Sequence, residues 1–256
     1  MLAITRKTQI KDIILEKKSV SVSELAERFS VTEETIRRDL KVLEDEGFLT
    51  RTYGGAFIQD GVENEVDLNI RETVYEDSKR AIAEKALELI HNGDTIFLDS
   101  STTAFFIAKA IRDMNLTVLT NSLIIVDFLS KYENIRVICI GGQLYHKGKS
   151  FIGRSTQKMI EYYFVDKAFI SCRSLSLQHG ITDSNEDSAV IRQSLLDHSN
   201  KLYIIADYSK FNKTSFVNIC DYNAIHGIIT DYQLDDEWIT LLTESNVEIY
   251  QCAIKQ

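Results

Sequence analysis

Residues 94–111 read DTIFLDSSTTAFFIAKAI, and this stretch decides the fold of the larger part of the chain. Its first segment, Thr95 to Leu98, is short, apolar and β-branched, which is typical of a strand buried on both faces. Small polar residues interrupt the run at 99–103, and apolar residues at helical spacing follow from Ala104. The stretch therefore predicts a strand, a hydroxyl-rich loop and the beginning of a helix.

The loop at 99–103 has the composition of an anion site. In a strand-loop-helix unit, backbone N–H groups, hydroxyl groups and the positive end of the helix dipole converge beyond the carboxyl end of the strand. A small anion such as phosphate is predicted to bind there. The alternative is that Ser101 or Thr102 only caps the helix, because many helices begin with Ser or Thr.

Strand and helix patterns alternate through the rest of the chain. Predicted strands cover residues 117–120, 136–140, 167–172, 202–206, 225–230 and 247–252. Predicted helices cover residues 76–91, 123–132, 155–162, 188–198 and 236–245. This alternation indicates an α/β domain with a mainly parallel sheet.

Polar or glycine-rich residues follow four of the predicted strands. In parallel sheets the carboxyl ends of the strands share one edge, and ligands bind along that edge. The four endings are Asp99 to Thr103, Thr120-Asn121-Ser122, Gly141-Gly142 and Asp207 to Lys210. Each by itself can be a cap or a turn, whereas together they predict one binding cleft.

The composition is that of a soluble globular protein, with 44% hydrophobic and 26% charged residues among 256. The longest apolar runs are too short to cross a bilayer and the N-terminus lacks a secretory signal, so a cytoplasmic protein is expected. The four cysteines are far apart in sequence and are predicted to be buried thiols. No metal, cofactor or membrane contact is predicted.

The net charge of −9 is unevenly distributed. Residues 1–58 contain ten Lys or Arg and ten Asp or Glu, whereas the remaining residues carry 19 basic and 28 acidic side chains. A contact with nucleic acid is therefore expected to be local and confined to the first segment.

The first 58 residues have the pattern of a helix-turn-helix. Ser21 and Glu24 fit a capping box that opens one helix, and Thr32 caps the next helix after a tight turn at Ser30-Val31. Side chains suited to DNA lie opposite the apolar face of this second helix, as in a recognition helix; they are Thr35, Arg37, Arg38 and Lys41.

Residues 48–57 predict a small β-wing beside these helices, with Gly54-Gly55 at its turn. Arg51 and Tyr53 are placed there to contact the phosphate backbone. The alternative for Arg37 and Arg38 is a solvated helix face on which they pair with acidic neighbours, namely Glu33, Glu34 or Asp39.

The segment VSVSELAERFSVTEETIRRDLKVLEDEGFLTRTYGGAF, residues 20–57, resembles the DNA-binding domain of the DeoR family of bacterial transcription regulators. The resemblance lies in TIRRDL, a Leu soon after it and the closing GGA, and it extends over residues 3–58. Tyr53 stands where His is common. The resemblance implies double-stranded operator DNA as partner, and the predicted contact residues are Ser21, Thr32, Thr35, Arg37, Arg38, Lys41, Arg51, Tyr53, Gly54 and Gly55.

Residues 76–232 resemble the effector-sensing domain of the same family, through the 99–103 loop, TNS, GG, Gly153 and the D-x-S-K-F stretch at 207–211. The resemblance implies the fold of ribose-5-phosphate isomerase and the coenzyme A transferases, and a phosphorylated sugar as effector. By this resemblance 99–103 hold phosphate, Lys210 adds positive charge, and Asn121 and Gly142 meet sugar hydroxyls. The predicted effector residues are Asp99, Ser100, Ser101, Thr102, Thr103, Asn121, Gly141, Gly142, Asp207, Lys210, Lys79, Arg80 and Glu186.

The chain is thus predicted to comprise a winged helix-turn-helix domain at 1–58, a linker at 59–75 and an α/β sensor domain at 76–256. The expected function is transcription regulation, as a repressor of a sugar uptake or catabolism operon. A homodimer or homotetramer is expected because one small DNA-binding unit buries too little surface to read a long site.

The alternative function is a sugar-phosphate isomerase-like enzyme with an appended DNA-binding module. Such chemistry needs a carboxylate base beside the sugar, and Asp99, Asp207 and Glu186 are available. The glycine-rich and acidic motifs that carry catalysis in the isomerase are not recognisable, so no catalytic residue is assigned.

Overall fold

The computed structural model describes residues 3–17, 19–46, 48–58, 71–72 and 75–252. The chain divides into two compact units, Met1–Val74 and Tyr75–Gln256, here called the N-terminal and C-terminal units. Apart from residues 71–72 and 75, the predicted linker at 59–75 lies outside the described residues.

In residues 3–17, 19–46 and 48–58, the N-terminal unit consists of three helices and a small antiparallel sheet. Its helices are α1 (Ala3–Lys17), α2 (Val22–Phe29) and α3 (Glu33–Asp45), and its strands are β1 (Ser19–Ser21), β2 (Thr50–Arg51) and β3 (Gly55–Phe57). The strand order is β1-β3-β2. Apolar residues at helical spacing, among them Ile10, Ile14, Leu25, Ile36 and Leu40, are at most 1% exposed and form the core.

Local capping explains where the two central helices begin. Ser21 Oγ accepts the N–H of Glu24 at 3.1 Å, and Thr32 Oγ1 accepts the N–H of Thr35 at 3.3 Å. Both predicted N-caps are confirmed. The predicted capping box is only half formed, because the Glu24 carboxylate lies 2.5 Å from Lys17 Nζ and does not reach back to its cap.

The C-terminal unit is built around a seven-stranded, entirely parallel sheet with the order β15-β14-β12-β9-β4-β5-β6. Its strands are β4 (Thr95–Leu98), β5 (Leu116–Thr120), β6 (Ile135–Cys139), β9 (Val165–Ile170), β12 (Ser199–Ile205), β14 (Gly227–Thr230) and β15 (Glu248–Gln251). The helices are α4 (Glu76–Leu87), α5 (Thr102–Ala110), α6 (Leu123–Leu129), α7 (Arg154–Ile160), α8 (Glu186–Ser194) and α9 (Asp236–Glu244).

Helices cover both faces of this sheet because its strands are apolar on both sides. One core contains Ile82, Ile107 and Ile125 from α4, α5 and α6, packed on strand residues such as Leu98. The other contains Ile160, Ile191 and Trp238 from α7, α8 and α9, packed on residues such as Phe97. The predicted fold class, a winged helix-turn-helix followed by an α/β domain with a mainly parallel sheet, is confirmed.

The strand order reverses between β4 and β9, near the middle of the sheet. From β4 the chain runs outward through β5 and β6 on one side, and then returns to build β9, β12, β14 and β15 on the other. In open α/β sheets a ligand binds outside the carboxyl ends of the strands at such a reversal. The 99–103 loop leaves β4 at this point.

Strand β1 of the N-terminal unit and two short β-structures of the C-terminal unit were not predicted. One is the hairpin of β7 (Gln143–Tyr145) and β8 (Ser150–Ile152), and the other is the antiparallel sheet of β10 (Ser174–Ser176), β11 (Gly180–Asp183) and β13 (Val217–Cys220). Strands of three or four residues are too short to show a period, which is why the sequence pattern did not reveal them.

All four cysteines are free thiols, as expected, but only two are buried. Cys172 and Cys220 are buried, whereas Cys139 and Cys252 are partly exposed. The prediction of four buried thiols is therefore wrong for these two. Cys139 ends β6 and Cys252 follows β15, and these are the two edge strands of the sheet.

Candidate effector site and DNA-binding surface

The carboxylate of Asp99 organises the loop that follows β4. Asp99 is 2% exposed; its Oδ1 accepts the N–H of Ser101 at 3.0 Å and its Oδ2 accepts the N–H of Ser171 at 2.9 Å. Because Ser171 follows β9, these bonds fix the loop across the reversal point. Both carboxylate oxygens of Asp99 therefore accept hydrogen bonds from the protein itself.

The hydroxyl residues of this loop begin α5. Ser101 Oγ accepts the N–H of Ala104 at 3.1 Å, so Ser101 is the N-cap that both interpretations of the loop require. Ser101, Thr102 and Thr103 are buried, whereas Ser100 is half-buried. Ser100 is therefore the loop residue most accessible to a bound anion.

Arg192, which was not predicted, lies beneath the same loop. Its Nε donates to Asp99 Oδ2 at 2.9 Å, and its Nη1 pairs with Asp183 Oδ2. Burial by itself lowers the pKa of Arg192, but the Asp183 and Asp99 carboxylates outweigh this effect and raise the pKa, so the guanidinium stays charged. Arg192 thereby ties α8 to β11 and to the end of β4.

A periodic signal for Arg192 existed in the sequence. Ala189 and Arg192 are three residues apart and thus lie on one face of α8, and both are buried. A basic residue on an otherwise apolar helix face indicates a buried ion pair. The partners of that pair, Asp99 and Asp183, are 93 and 9 residues away, and nothing in the pattern identifies them.

The turn after β12 is held by Asp207. This residue is 2% exposed, and its Oδ1 accepts the N–H of Ser209 at 3.0 Å and the Ser209 hydroxyl, which caps the 3₁₀ helix Tyr208–Lys210. Burial raises the pKa of the nearby Cys172 thiol to about 12, while the Lys210 ammonium acts to lower it. Lys210 and Asp207 thus lie close to the strand ends around Cys172.

Asn121 and Gly142 lie where the β7–β8 hairpin packs on the sheet. Asn121 is 3% exposed and its Nδ2 donates to the carbonyl of Phe151 at 2.9 Å, but its Oδ1 is buried without a hydrogen-bond partner. A Cβ on Gly142 would lie 1.9 Å from Thr156 Oγ1, so only glycine fits there. The adjacent Gly141 has open space around its Cα.

The structure brings most of these predicted residues to one edge of the sheet. Neighbouring strands are about 4.8 Å apart, so Asn121 lies one strand from Asp99, and Gly142 and Asp207 lie two strands away on opposite sides. The predicted cleft therefore spans roughly 20 Å along the strand ends.

Three weaker candidates lie on helices around this edge. Lys79 is buried in the first turn of α4, whereas Arg80 is exposed and pairs with Glu76 at 2.8 Å. Glu186 is exposed in the first turn of α8. Lys79 is thus the only one of the three that is held within the fold.

Two cavities among the described residues lie away from the predicted site. One of about 410 Å³ is lined by Leu177 and by α9 residues, three of which are acidic, namely Asp236, Glu237 and Glu244. Another of about 340 Å³ lies where β12, β14 and β15 begin and includes Lys201 and Glu248. Neither is lined by a predicted effector residue.

In the N-terminal unit, Arg37 connects the recognition helix α3 to the wing. Its Nη1 donates to the carbonyl of Tyr53 at 2.7 Å, its Nη2 pairs with Glu33 at 3.0 Å, and the guanidinium lies 5.8 Å from the centre of the Tyr53 ring. Arg38 is exposed and pairs with Glu34 at 3.4 Å. Exposed pairs of this spacing contribute about 0.5 kcal/mol or less, so DNA phosphates can displace them.

The three acidic residues near the arginines of α3 do not all form surface ion pairs with them. Glu33 and Glu34 pair with the two arginines, as the solvated-face interpretation anticipates, but Asp39 forms a buried pair with Arg6 at 2.5 Å. Asp39 therefore stabilises the packing of α1 on α3 and leaves the exposed face of α3 to the basic residues.

The wing is shaped by Arg51 and Gly55. Arg51 donates to Glu44 through both its backbone N–H, at 2.8 Å, and its Nε, at 2.6 Å. These bonds lower the pKa of Glu44 even though burial acts to raise it. A Cβ on Gly55 would lie 2.1 Å from the carbonyl oxygen of Val20, so β3 and β1 approach closely only because this residue is glycine.

The remaining predicted DNA contacts fall into two groups. Ser21, Thr32 and Thr35 have hydroxyls engaged with their own helices or with each other, Thr32 and Thr35 at 2.9 Å. Lys41, Tyr53 and Gly54 are exposed, Tyr53 to 86%. These three residues, together with Arg38 and Thr32, which is also exposed, form the accessible part of the predicted surface.

A winged helix-turn-helix whose recognition helix presents Arg37, Arg38 and Lys41, in one chain with an α/β domain whose strand ends are polar, defines a ligand-responsive transcription regulator. The family model of the DeoR-like helix-turn-helix domain matches residues 6–61, and that of the DeoR C terminal sensor domain matches residues 75–232. The chain belongs to the DeoR family of transcription regulators.

Three relatives illustrate this membership. The regulator YulB of Bacillus subtilis is 39% identical over 97% of this chain and 96% of its own length. The lactose phosphotransferase system repressor of Staphylococcus epidermidis is 32% identical over 88% and 91%, and the L-fucose operon activator of Haemophilus influenzae is 33% identical over 84% and 87%. Among solved structures, ribose 5-phosphate isomerase A of Methanocaldococcus jannaschii aligns with 53% of this chain and 54% of its own, at 18% identity and a TM-score of 0.39.

Within the part of the chain that the structure describes, no helix combines the length and apolar character needed to cross a membrane.

Proposed function

We propose that this protein regulates a sugar uptake or catabolism operon, and that a phosphorylated sugar bound at the strand ends of the C-terminal unit changes its affinity for operator DNA. The observation that carries this proposal is the DeoR family match over both units of one chain. The relatives support the sugar operon, because two of them are named for lactose and L-fucose systems.

We assign the anionic group of the effector to two positive elements at the strand ends. Arg192 is already neutralised by Asp99 and Asp183, so it does not supply free positive charge. The proposed partners of a phosphate are the first turn of α5, through its helix dipole, and the ammonium of Lys210. A phosphate on the effector would be held by these two, and the sugar hydroxyls would face Asn121 and its neighbours.

The carboxylates support binding without catalysis. A general base needs a carboxylate oxygen within hydrogen-bond reach of the substrate. Asp99 is engaged by Arg192 and two N–H groups, Asp207 is engaged by Ser209, and Glu186 is exposed on α8. We therefore assign no isomerase activity to the C-terminal unit.

The effector acts through a difference in affinity between two states of the protein. A coupling free energy of about 1 to 3 kcal/mol would change operator affinity by roughly 5- to 150-fold. The relatives include a named repressor and a named activator. Whether the effector weakens or strengthens operator binding is therefore measured directly in the test below. A homodimer or homotetramer would place two or more DNA-binding units on repeated half-sites.

The test combines effector screening with DNA binding by the full chain. Thermal melting is measured with pentose 5-phosphates, hexose 6-phosphates, the unphosphorylated sugars and inorganic phosphate. A specific ligand at 100 times its Kd adds about 2.7 kcal/mol to the free energy of unfolding. Operator fragments are selected from genomic DNA, and their affinity is then measured by fluorescence anisotropy with and without the stabilising sugar phosphate.

A matched pair of variants localises the effector. Ser100→Ala removes the accessible hydroxyl of the predicted phosphate loop and should weaken the response to the sugar phosphate. Ser130→Ala removes a hydroxyl that bonds only to the carbonyl of Asp127, at 2.9 Å, and should leave the response unchanged. Stabilisation by no sugar phosphate, or turnover of one, would contradict the proposed function.

A further inference from the structure

Asp231 lies on the same edge of the sheet as the predicted effector residues but is not among them. Strands β12 and β14 are parallel, with Ile205 opposite Ile229. Asp207 and Asp231 each come two residues after that pair, so the two carboxylates lie side by side at neighbouring strand ends. The two carboxylates also interact electrostatically, because the negative charge of Asp207 acts to raise the pKa of Asp231.

The Asp231 carboxylate joins two segments that are far apart in sequence. Its Oδ1 accepts the N–H of Tyr208 at 2.8 Å, at the start of the 3₁₀ helix that ends in Lys210. The side chain of Ser78, in the first turn of α4, also neighbours this carboxylate and acts to lower its pKa. The rings of Tyr75 and Tyr208 meet edge to face beside these bonds, with their centres 5.1 Å apart.

Stability alone does not explain a carboxylate at this position. Asp231 Oδ2 is buried and makes no well-formed hydrogen bond with the described residues. Burial raises the pKa of Asp231, and the neighbouring Ser78 side chain and the N–H of Tyr208 only partly offset this effect. A buried acceptor without a donor is costly, so a neutral side chain with one acceptor would serve the packing better.

Direct contact with the effector is excluded by distance if the phosphate lies on the loop after β4. Strand β14 is three strands from β4, which corresponds to about 14 Å. The 3₁₀ helix after β12 lies between them and carries Lys210. Asp231 can therefore influence the effector only through the segment that it holds.

We propose that Asp231 is a positioning residue that clamps the Asp207–Lys210 turn to the first turn of α4. By holding the N–H of Tyr208, Asp231 fixes the position of Lys210 in the effector site. It also makes the start of α4, which follows directly on the linker to the DNA-binding unit, respond when the turn is occupied. This inference rests on the proposed function and names the path by which the effector is sensed.

The experiment is amide hydrogen exchange followed by mass spectrometry on the full chain, with three variants. Asp231→Ala removes both acceptor oxygens, Asp231→Asn keeps Oδ1, and Asp113→Asn alters an exposed carboxylate elsewhere as the control. Without ligand, exchange at the Tyr208 amide should be at least about tenfold faster in Asp231→Ala, the loss of one hydrogen bond to a charged acceptor. It should be close to wild type in Asp231→Asn and Asp113→Asn.

The decisive comparison uses the pentose 5-phosphate or hexose 6-phosphate that most stabilises the wild type. In the wild type this probe should slow exchange in peptides covering both 207–211 and 76–82. In Asp231→Ala the probe should bind more weakly and leave 76–82 unprotected even at saturation. Asp231→Asn should restore most of the protection.

The outcomes separate the inference from the function on which it rests. If the probe protects 76–82 equally in the wild type and in Asp231→Ala at saturation, Asp231 has only a structural role and the inference is wrong. If no sugar phosphate protects either segment of the wild type, the proposed effector class is wrong and the inference falls with it.

Discussion

At the scale of single residues, Arg192 shows how a buried charge can organise a binding edge without contacting a ligand. Its side chain is 9% exposed, and the side chains of Asp99 and Asp183, with which it pairs, are 2% and 10% exposed. The guanidinium of Arg192 compensates the negative charge of these two buried carboxylates, which would otherwise have no partner of opposite charge. We expect the loop after β4 to depend on this residue.

Replacement of Arg192 by Met should therefore destabilise the C-terminal unit by about 3–5 kcal/mol, since it leaves two buried carboxylates without a partner. Urea unfolding monitored by Trp238, the single and fully buried tryptophan, reports on this unit specifically. The control is Arg80→Met, which breaks an exposed pair with Glu76 and should change stability by less than about 1 kcal/mol. Similar effects of the two substitutions would contradict the assigned role.

In the N-terminal unit, Arg37→Ala and Arg38→Ala should each weaken operator binding by roughly 5- to 150-fold, the usual loss when a base contact is removed. The pairs with Glu33 and Glu34 cost little to break, which leaves Arg38 available to DNA, whereas Arg37 must also give up its bond to the Tyr53 carbonyl. Fluorescence anisotropy measures the loss, and effector binding should be unchanged. Arg112→Ala, on the surface of the C-terminal unit, is the control; unchanged operator affinity in both variants would remove these contacts from the proposal.

At the scale of elements, the end of β6 is fitted closely to α7. Gly142→Ala would bring a methyl group to 1.9 Å from Thr156 Oγ1, and Thr156 is fully buried and bonded to the carbonyl of Ile152 at 2.8 Å. We expect a loss of about 1–3 kcal/mol from overpacking, together with weaker effector binding. Thermal melting with and without sugar phosphate measures both. Gly141→Ala places its methyl group in open space and should leave the stability unchanged.

Strands β4 and β9 are also connected at their amino ends, by Asp94 and Lys167 at 2.5 Å. Burial acts to raise the pKa of Asp94, but the bond from Lys167 and the N–H of His91 lower it overall. A carboxyl whose pKa is lowered by folding stabilises the native state above its unfolded pKa, and this contribution is lost as the pH falls through the folded pKa.

Asp94→Asn should therefore be less stable than the wild type at pH 7, and the difference should shrink as the pH falls below about 4. Urea unfolding of both proteins between pH 7 and pH 3 measures the difference directly. Asp113→Asn, which alters an exposed carboxylate, should show a small difference that hardly depends on pH. A difference for Asp94→Asn that grows on acidification would refute the stated sign.

At the scale of the whole molecule, the two units are linked by thermodynamic reciprocity. If the sugar phosphate lowers operator affinity by some factor, operator DNA must lower sugar phosphate affinity by the same factor. We expect a factor of roughly 5 to 150. Anisotropy titrations at several effector concentrations measure one side and calorimetry with and without operator measures the other. An effector that binds tightly but leaves operator affinity unchanged would disprove regulation by this ligand.

The sequence by itself determined the order of elements, the two N-caps of the helix-turn-helix, the alternation that indicates a parallel sheet, and the family. These follow from short-range periodicity and from motifs such as TIRRDL, which a linear pattern contains. It also placed Asp99, Asn121, Gly142 and Asp207 at strand ends, because a strand end is a local feature.

Only the tertiary structure decided which of these side chains are engaged and with what. Arg192 meets Asp99 across 93 residues, Asp231 meets Tyr208 across 23, and the short strands β1 and β13 exist because partners distant in sequence pair with them. The physical reason is that the free energy of a buried ion pair or a sheet hydrogen bond depends on which groups meet in space. The pattern of a single sequence does not show which distant residues come into contact.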